Sequence, residues 1–267
     1  MRRELRGTRI LITGASSGIG RCLAEQAARE GARLALVART ADKLRELASA
    51  LAVYGAEVVP VAADITSEHD RQEILSRVVE RFDGLDVLIN NAGVGSWGHF
   101  AESSEAILRQ VMEVNFFAPA ELIRLAIPML RKGRNPAIVN VASMCGRRGI
   151  PGWTEYSASK FALCGLTEAL RGEMVRFGID VLLIVPGLTR SDLWQHLLRN
   201  SGRYPLDLSK AMLPENVAAG ILRALKKNRT ETTLGREARW ILRVNRFMPR
   251  LVDAFLVRQV RRLYASA

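Results

Sequence analysis

RILITGASSGIG (residues 9–20) is the stretch that decides the expected fold. An apolar run comes first, glycines follow at positions 14, 18 and 20, and a helical pattern begins at once. Gly14 permits a tight turn, Gly18 lets the backbone approach a pyrophosphate, and Gly20 lets the helix pack closely. The N–H groups and positive dipole end of that helix favour a phosphate. We therefore expect a strand–turn–helix unit that binds a dinucleotide through Gly14, Ser16, Ser17, Gly18, Ile19 and Gly20.

Short apolar runs alternate with longer helical patterns through most of the remaining chain. The expected strands are 9–14, 33–39, 56–64, 85–93, 137–143 and 180–187, and the expected helices are 18–30, 41–54, 67–82, 103–129 and 156–177. Because the apolar runs are continuous, they are typical of parallel strands buried on both faces. The alternation predicts an α/β fold with a doubly wound parallel sheet. We expect one domain over 1–235 and a helical extension over 236–267.

The cysteine and histidine content favours neither disulfides nor metal. Cys22, Cys145 and Cys164 are an odd number with no CxxC spacing, and the three histidines are scattered singly. These features suit a reducing cytoplasm. The basic start has only three strongly apolar residues before the glycine turn, and no later segment reaches about 18 uninterrupted apolar residues. Neither a signal peptide nor a membrane-spanning helix is expected.

The end of the second predicted strand selects the nucleotide. The sequence LVART places Arg39 where NAD-binding folds of this kind carry a carboxylate for the ribose hydroxyls. A guanidinium suits a 2′-phosphate, which a carboxylate would repel. Ser16 and Thr40 would add hydroxyl donors to the same phosphate. The alternative is a solvated arginine at a strand end, but beside the glycine turn we predict NADP(H) as the cofactor.

Tyr156 and Lys160 lie four residues apart in EYSASKFAL (155–163), so on a helix they share one face. One interpretation is an amphipathic helix whose lysine reaches solvent. The other is chemical, because a nearby ammonium lowers the pKa of a phenol from about 10 toward a working acid–base range. Ser143 ends a predicted strand, at the sheet edge where such folds bind ligands. We expect Ser143 to orient a carbonyl, Tyr156 to transfer a proton, and Lys160 to lower the tyrosine pKa and hold the nicotinamide ribose.

Asn115 is a polar residue among apolar neighbours in VMEVNFFAP (111–119). It is either a buried amide whose hydrogen bonds are satisfied or a link that holds a proton-conducting water near Lys160.

Five motifs now share one order: TGASSGIG (13–20), NNAG (90–93), Ser143, YSASK (156–160) and PG (186–187). Across about residues 7–230 they resemble the short-chain dehydrogenase/reductase family. The resemblance implies a Rossmann-type fold with a seven-stranded sheet, and a homodimer or homotetramer. It implies a hydride-transferring oxidoreductase that interconverts a carbonyl and a secondary alcohol, with Asn115, Ser143, Tyr156 and Lys160 as the catalytic set.

The resemblance also assigns cofactor contacts. It places Asp64, followed by Ile65, beside the adenine, and Asn91, Ala92 and Gly93 along the cofactor, where they also brace the sheet. Pro186, Gly187 and Thr189 match the turn near the carboxamide, and Arg39 is similar to NADP-preferring members.

Three loops, after Gly93, Ser143 and Pro186, are expected to build the substrate pocket. Their apolar and aromatic residues suit a lipophilic substrate, although any one of them could merely pack a lid. The expected lining is Val94, Trp97, Phe100, Met144, Cys145, Trp153, Leu188, Leu193, Trp194 and Leu197. Cys145 is predicted to be a wall residue, not a nucleophile, and 188–212 a mobile lid.

Two alternative functions stay open. Reduction of a 3-ketoacyl thioester on an acidic carrier protein would use Arg147 and Arg148, but NNAGVGSWGH (90–99) lacks the threonine–arginine–aspartate that often follows NNAG in such reductases. A dinucleotide-bound sensor or scaffold without turnover is the other alternative, and the intact set of four catalytic residues argues against it.

The tail beyond residue 235 is strongly basic within a chain of net charge +12. It holds eight arginines against Glu237 and Asp253, and its aromatic and aliphatic residues recur every three or four positions. Pro249 is expected to divide it into two helices. A basic amphipathic pattern with Trp and Phe favours peripheral contact with a membrane surface. The alternative is a helix pair docked on its own domain or on a second subunit. No nucleic-acid reader motif accompanies the basic residues.

Overall fold

A parallel sheet forms the centre of the computed structural model, which describes residues 3–202 and 208–264. Within them, seven strands occur in the order β3-β2-β1-β4-β5-β6-β7. The strands are β1 (Arg9–Thr13), β2 (Arg33–Ala38), β3 (Val58–Ala62), β4 (Val87–Asn90), β5 (Ala137–Val141), β6 (Asp180–Pro186) and β7 (Glu231–Leu234). The predicted doubly wound Rossmann-type sheet is confirmed. The central strands are buried on both faces, as their continuous apolar runs require.

Helices cover both faces of this sheet. They are α1 (Gly18–Arg29), α2 (Ala41–Leu51), α3 (Glu68–Phe82), α4 (Glu105–Met112), α5 (Ala118–Leu130), α6 (Thr154–Met174), α7 (Pro214–Lys226), α8 (Arg236–Phe247) and α9 (Pro249–Tyr264). One buried cluster packs α1, α2 and α7 against the sheet. A second packs α3 and α5 on the opposite face. Chain crossovers on both sides therefore bring the carboxyl ends of all strands to one edge.

The predicted helix over 103–129 is wrong in one respect. Residues Glu113–Phe117 form a π-helical turn between α4 and α5. A π turn inserts an extra residue into the helix and is frequent at functional sites. The apolar pattern runs through it without a break, so periodicity gave no signal of it. The turn contains Asn115.

Several strands end earlier than the apolar runs do. The run 85–93 forms a strand only over Val87–Asn90, and the run 137–143 only over Ala137–Val141. The residues beyond leave the sheet and become loops at its carboxyl edge. The seventh strand, Glu231–Leu234, is a short edge strand that pairs with β6 and has no continuous apolar run to announce it.

Two helices form the tail, divided at Pro249 as predicted. They pack against the chain's own domain, and Ala238 and Leu256 are buried there. Arg148 anchors both helices, because its guanidinium donates to Asn245 Oδ1 on α8 and pairs with Asp253 on α9. The described part of the chain holds no helix that is both long and apolar enough to cross a membrane.

Candidate active site

The strand order changes direction between β1 and β4, and the two neighbouring strands end in the predicted glycine turn and in Asn91–Gly93. The side-chain amide of Asn91 donates to the carbonyl oxygens of Thr13 (3.0 Å) and Gly14 (3.3 Å). In return, Thr13 Oγ1 accepts from the backbone N–H groups of Asn91 and Ala92. The NNAG segment thus fixes the glycine turn, and the crevice at this point is where open α/β sheets bind ligands.

The glycines of the turn are required by its geometry. Gly14 has a φ of +66° and Gly18 a φ of +50°, both in the left-handed region that favours glycine. A Cβ on Gly20 would lie 2.1 Å from the carbonyl oxygen of Gly14, so only glycine lets α1 approach the strand. Ser17 precedes α1 without a side-chain cap, which leaves the first N–H groups of the helix for a ligand. The turn therefore fits the pyrophosphate of a dinucleotide.

A cavity of about 1440 Å³ runs along the carboxyl edge of the sheet. It is larger than the pockets that usually hold one drug-sized ligand, which have volumes of roughly 300–1,000 Å³. Every predicted cofactor residue except Gly20 lines it: Gly14, Ser16, Ser17, Gly18, Ile19, Arg39, Thr40, Asp64, Ile65, Asn91, Ala92, Gly93, Tyr156, Lys160, Pro186, Gly187 and Thr189. Gly20 is buried behind the turn, where its role is helix packing.

One end of the cavity is cationic. Arg39 follows β2, is exposed, and forms no ion pair within the described residues. Lys43, in the first turn of α2, lines the same end and was not predicted. Its place in the first turn of the helix predicted from residue 41 is the signal that could have indicated it. Asp64 also lines the cavity, and its carboxylate accepts from the Thr66 N–H and hydroxyl, which shapes the turn after β3.

Ser143, Tyr156 and Lys160 all line this cavity. Ser143 follows β5, and its hydroxyl accepts from the Cys145 N–H at 3.1 Å. The same hydroxyl lies close enough to the Tyr156 phenol to lower the tyrosine pKa. Tyr156 and Lys160 share one face of α6, with Lys160 Nζ 5.7 Å from the centroid of the tyrosine ring. Lys160 is buried and donates to the carbonyl oxygen of Val141 at 3.1 Å. The phenol and the amine therefore lie side by side, as the four-residue spacing predicts.

The expected direction of the tyrosine pKa is corrected by the structure. Burial raises the pKa of Tyr156 well above its usual value, and the nearby Ser143 hydroxyl only partly offsets this. The same burial lowers the pKa of Lys160 to about 8. A phenol in a low-dielectric pocket favours its neutral form, and so does an amine. Tyr156 is therefore protonated at neutral pH.

The lowered pKa of Lys160 predicts a pH-dependent term in stability. The amine has a pKa of about 8 when folded and 10.5 as its reference value. Between these values the unfolded chain holds the proton and the folded chain does not, so this group makes the free energy of unfolding rise with pH. The rise is about 1.4 kcal/mol per pH unit at most. It should vanish in Lys160→Met.

Chemical denaturation from pH 8 to pH 10 would measure the free energy of unfolding of the wild type and of Lys160→Met. The difference between the two proteins isolates the Lys160 contribution, because all other groups contribute to both. A difference that stays constant with pH would contradict the buried, deprotonated amine.

Asn115 does not line the cavity. Its side chain binds both backbone groups of Val94, donating to the carbonyl oxygen and accepting from the N–H, each at 2.9 Å. It also donates to Ser159 Oγ at 3.0 Å, one residue before Lys160. Asn115 is thus a buried amide with its hydrogen bonds satisfied, and it ties the loop after β4 to α6. A Cβ on Gly93 would lie 3.1 Å from Asn115 Oδ1 and 3.5 Å from Lys160 Nζ, so Gly93 lies directly between the two side chains.

Aromatic rings form the wall beside Tyr156. Trp153 is buried and lies edge-on to both Tyr156 (5.6 Å between centroids) and Trp194 (5.1 Å). Trp194 Nε1 donates to the Thr189 carbonyl oxygen, which holds the lid segment in place. The other predicted wall residues that line the cavity are Val94, Met144, Cys145, Leu188 and Leu193. Burial raises the pKa of the Cys145 thiol to about 11, which keeps it un-ionised as a wall residue.

Three predicted wall residues are not in the wall. Trp97 does not line the cavity; it stacks on Trp153 at 6.1 Å between centroids, and its ring lies against Gly202. Leu197 packs toward Gly95, and Phe100 is exposed on a short 3-10 turn. Of the predicted lid, residues 203–207 lie outside the described part of the chain.

The tail supplies cavity residues that the sequence did not predict. Glu237 and Ile241 of α8 and Phe255 and Leu256 of α9 line the cavity. Close approach of α8 depends on small residues, since a Cβ on Gly187 would lie 2.9 Å from the Ala238 Cβ. The amphipathic pattern of the tail indicated a buried face, but only packing shows what that face covers.

A buried ion pair supports the start of α6. Glu155 is fully buried, pairs with Arg199 at 3.6 Å and accepts from the Ser103 hydroxyl. Arg199 also donates to the His99 carbonyl oxygen at 2.6 Å. This pair fixes the lid segment to the residue next to Tyr156. No cluster of histidine, cysteine or carboxylate side chains that could hold a metal occurs among the described residues.

Comparison with known proteins agrees with this geometry. Residues 8–202 match the short chain dehydrogenase family. The ketoacyl reductase HetN of Nostoc sp. is 29% identical over 93% of this chain and 88% of its own length. A short-chain dehydrogenase/reductase from Burkholderia phymatum in complex with NAD has a TM-score of 0.84 at 27% identity, covering 93% of this chain and 96% of that chain. A short-chain dehydrogenase from Sphingobium yanoikuyae in complex with NADPH has a TM-score of 0.75 at 30% identity, covering 92% and 96%.

The glycine turn, the Ser143–Tyr156–Lys160 group, the strand order and these similarities agree, and the chain belongs to the short-chain dehydrogenase/reductase family of oxidoreductases.

Proposed function

We propose that this protein is an NADP(H)-dependent oxidoreductase that interconverts a carbonyl and a secondary alcohol on a lipophilic substrate, with Tyr156 as general acid and base. The observation that carries the proposal is the convergence of the half-buried Tyr156 with Ser143 and Lys160 in the cavity that the glycine turn also lines. The aromatic wall of Trp153 and Trp194 supports a lipophilic substrate.

The cofactor would be held by the glycine turn and the cavity residues around it, and when bound it supplies or accepts the hydride. Tyr156 transfers the proton: in reduction its O–H bond breaks as the substrate oxygen gains a hydrogen. A phenol that burial keeps neutral at pH 7 has this proton to give. Ser143 can donate to the substrate oxygen and orient the carbonyl toward Tyr156. Lys160, with a pKa of about 8, lies within one turn to return the proton.

NADP preference is supported by the charge at the end of β2. Arg39 and Lys43 line the cavity where the second strand and α2 meet. A 2′-phosphate there would gain charge-assisted hydrogen bonds. Thr40 and Ser16 line the same region and would add hydroxyl donors.

Replacing Arg39 by aspartate tests both reaction and cofactor. Oxidation of NADPH and NADH is followed with a panel of lipophilic ketones and aldehydes and with ketoacyl thioesters. We expect wild-type turnover with NADPH, and a rise of about tenfold to a hundredfold in the KM for NADPH in Arg39→Asp, as for loss of a charged hydrogen bond. Arg45→Asp is the matched control, since Arg45 lies on α2 and is exposed to solvent. Equal use of NADH and NADPH by the wild type would contradict the proposed preference.

Reduction of 3-ketoacyl thioesters is the second candidate, favoured by similarity to a protein named as a ketoacyl reductase. The arginines that would meet an acidic carrier protein are already paired within the chain. Arg147 pairs with Glu168 (2.5 Å) and Glu231 (2.7 Å), and Arg148 with Asp253. Turnover of thioesters alone in the panel would favour this candidate.

A homodimer or homotetramer and a cytoplasmic location are also part of the proposal. The first rests on membership of the family. The second rests on Cys22, Cys145 and Cys164, all of which are free thiols.

A further inference from the structure

The outward surfaces of α8 and α9 leave large apolar side chains in the open. Trp240 and Phe247 lie seven residues apart on one face of α8, and they are 67% and 78% exposed. Leu251 and Phe255 lie four residues apart on α9 and are exposed as well. We call the exposed set Trp240, Phe247, Met248, Leu251 and Phe255 the tail face. Exposed apolar groups, where they form a large patch, mark interaction sites more often than ordinary surface does.

Arginines lie within and beside the tail face. Arg236 and Arg243 alternate with Trp240 and Phe247 at helical spacing on the same face of α8. Arg258 and Arg262 continue the line of Leu251 and Phe255 on α9. All four are exposed.

The tail has two acidic residues, and neither is among the residues of the tail face. Glu237 is exposed where it lines the cavity, and Asp253 pairs with Arg148 on the domain. The tail face is therefore apolar and flanked by four exposed arginines, which outnumber these two carboxylates.

The tail face borders the cavity. Phe255 is more than half exposed and also lines the cavity, and its neighbour Leu256 is buried against Ile150 in the cavity wall. Ile150 in turn contacts the start of α6 through Ser157, the residue after Tyr156. A compound that entered past Phe255 would enter the cavity that Tyr156 and Trp153 line.

We infer that the tail face binds the surface of an anionic lipid bilayer and opens the substrate side of the cavity toward it. Basic amphipathic helices with Trp and Phe on the apolar face lie in the plane of such an interface. Arginines next to that face are attracted by anionic headgroups. A second copy of the chain fits less well, because a two-fold contact would set the arginines of one protomer against those of the other. Delivery of a lipophilic carbonyl compound from the bilayer rests on the proposed function.

Sedimentation of the full chain with vesicles tests this inference. One vesicle preparation is phosphatidylcholine alone, and the other holds equal parts of phosphatidylcholine and phosphatidylglycerol. We expect association with the anionic vesicles only, weakened by salt because exposed charges are screened over about 10 Å at 0.1 M.

Two variants locate the contact. The combined Arg236→Gln, Arg243→Gln, Arg258→Gln and Arg262→Gln variant should lower the association constant by about a hundredfold or more, since each arginine contributes about fivefold. Trp240→Ser with Phe247→Ser should remove the apolar part of the contact and also abolish sedimentation.

Two further variants serve as controls. The charge control replaces four exposed arginines outside the tail by glutamine, one on each of α2, α3, α5 and α7: Arg45, Arg77, Arg124 and Arg223. The apolar control is Val53→Ser with Val175→Ser, also exposed. Both controls should bind as the wild type does.

Three results would overturn the inference. The first is no association of the wild type with anionic vesicles. The second is an equal fall of the association constant in the four-arginine tail variant and in the charge control. The third is self-association that Trp240→Ser with Phe247→Ser removes, in a protein that does not bind vesicles.

Turnover of a water-soluble ketone is measured in the same preparations. Turnover without vesicle binding rejects the membrane contact and leaves the reductase proposal intact. Vesicle binding without turnover of any carbonyl supports the tail face and rejects the reductase proposal together with the substrate route.

Discussion

Tyr156→Phe is expected to lower kcat by about a thousandfold or more, because a positioned general acid contributes about 10²–10⁴ in rate. The phenol hydroxyl is the only group that the change removes, and the contact between the ring and Trp153, at 5.6 Å between centroids, is kept. The variant should therefore fold and bind the cofactor as the wild type does. Steady-state turnover and NADPH binding by fluorescence measure the two properties separately.

The matched control is Tyr54→Phe, since Tyr54 is exposed beside Arg29 and remote from the cavity. It should leave turnover unchanged. Wild-type turnover in Tyr156→Phe would reject the proposed general acid. Tight NADPH binding by the wild type with no turnover on the whole panel would instead favour the sensor interpretation, in which the sheet serves only to bind the dinucleotide.

Gly20→Ala is expected to lower the free energy of unfolding by about 3 kcal/mol and to abolish tight NADPH binding. The added Cβ would lie 2.1 Å from the Gly14 carbonyl oxygen and 2.7 Å from Asn91 Nδ2. Both are parts of the glycine turn, so the helix or the turn must shift, and overpacking of this kind costs about 1–3 kcal/mol. Chemical denaturation and NADPH titration measure the two effects.

Gly172→Ala is the control for this change. Gly172 lies within α6, and nothing is within 4 Å of the position where its Cβ would be. Alanine there should stabilise the protein by about 0.5–1 kcal/mol, because glycine is the weaker helix former. A Gly20→Ala protein as stable as the wild type would contradict the close approach of α1 to the strand.

The glycine turn, the strand–helix alternation and the Tyr156–Lys160 pair were all predictable from the sequence. Each depends on local features: a left-handed backbone at Gly14 and Gly18, a continuous apolar run, and four-residue spacing on one helix. Local spacing fixes local geometry, and parallel strands carry their ends to a common edge. These rules were enough to place Ser143, Tyr156 and Lys160 in one cavity.

Packing between distant segments decided the rest. The sequence offered several tryptophans for the pocket wall, but only the packing of distant segments shows that Trp194 lines the cavity while Trp97 packs on Trp153 and Gly202. Asn115 sits in a π turn that the apolar pattern does not reveal.

Burial likewise decided the protonation of the site. Spacing on a helix predicts a lowered tyrosine pKa, whereas enclosure by surrounding elements raises the pKa of Tyr156 and lowers that of Lys160. Desolvation depends on every segment that excludes water from a group, and those segments are far apart in the chain.

The tail shows the same division. Its periodicity predicted two amphipathic helices that divide at Pro249, and the structure confirms both. The sequence does not show that Ile241 and Leu256 line the cavity. They do so because Ala238 packs against Gly187 and because Arg148 anchors both helices. Sequence periodicity determines which face of a helix is apolar, while the three-dimensional fold determines what that face covers, because the covering surface comes from residues distant in the chain.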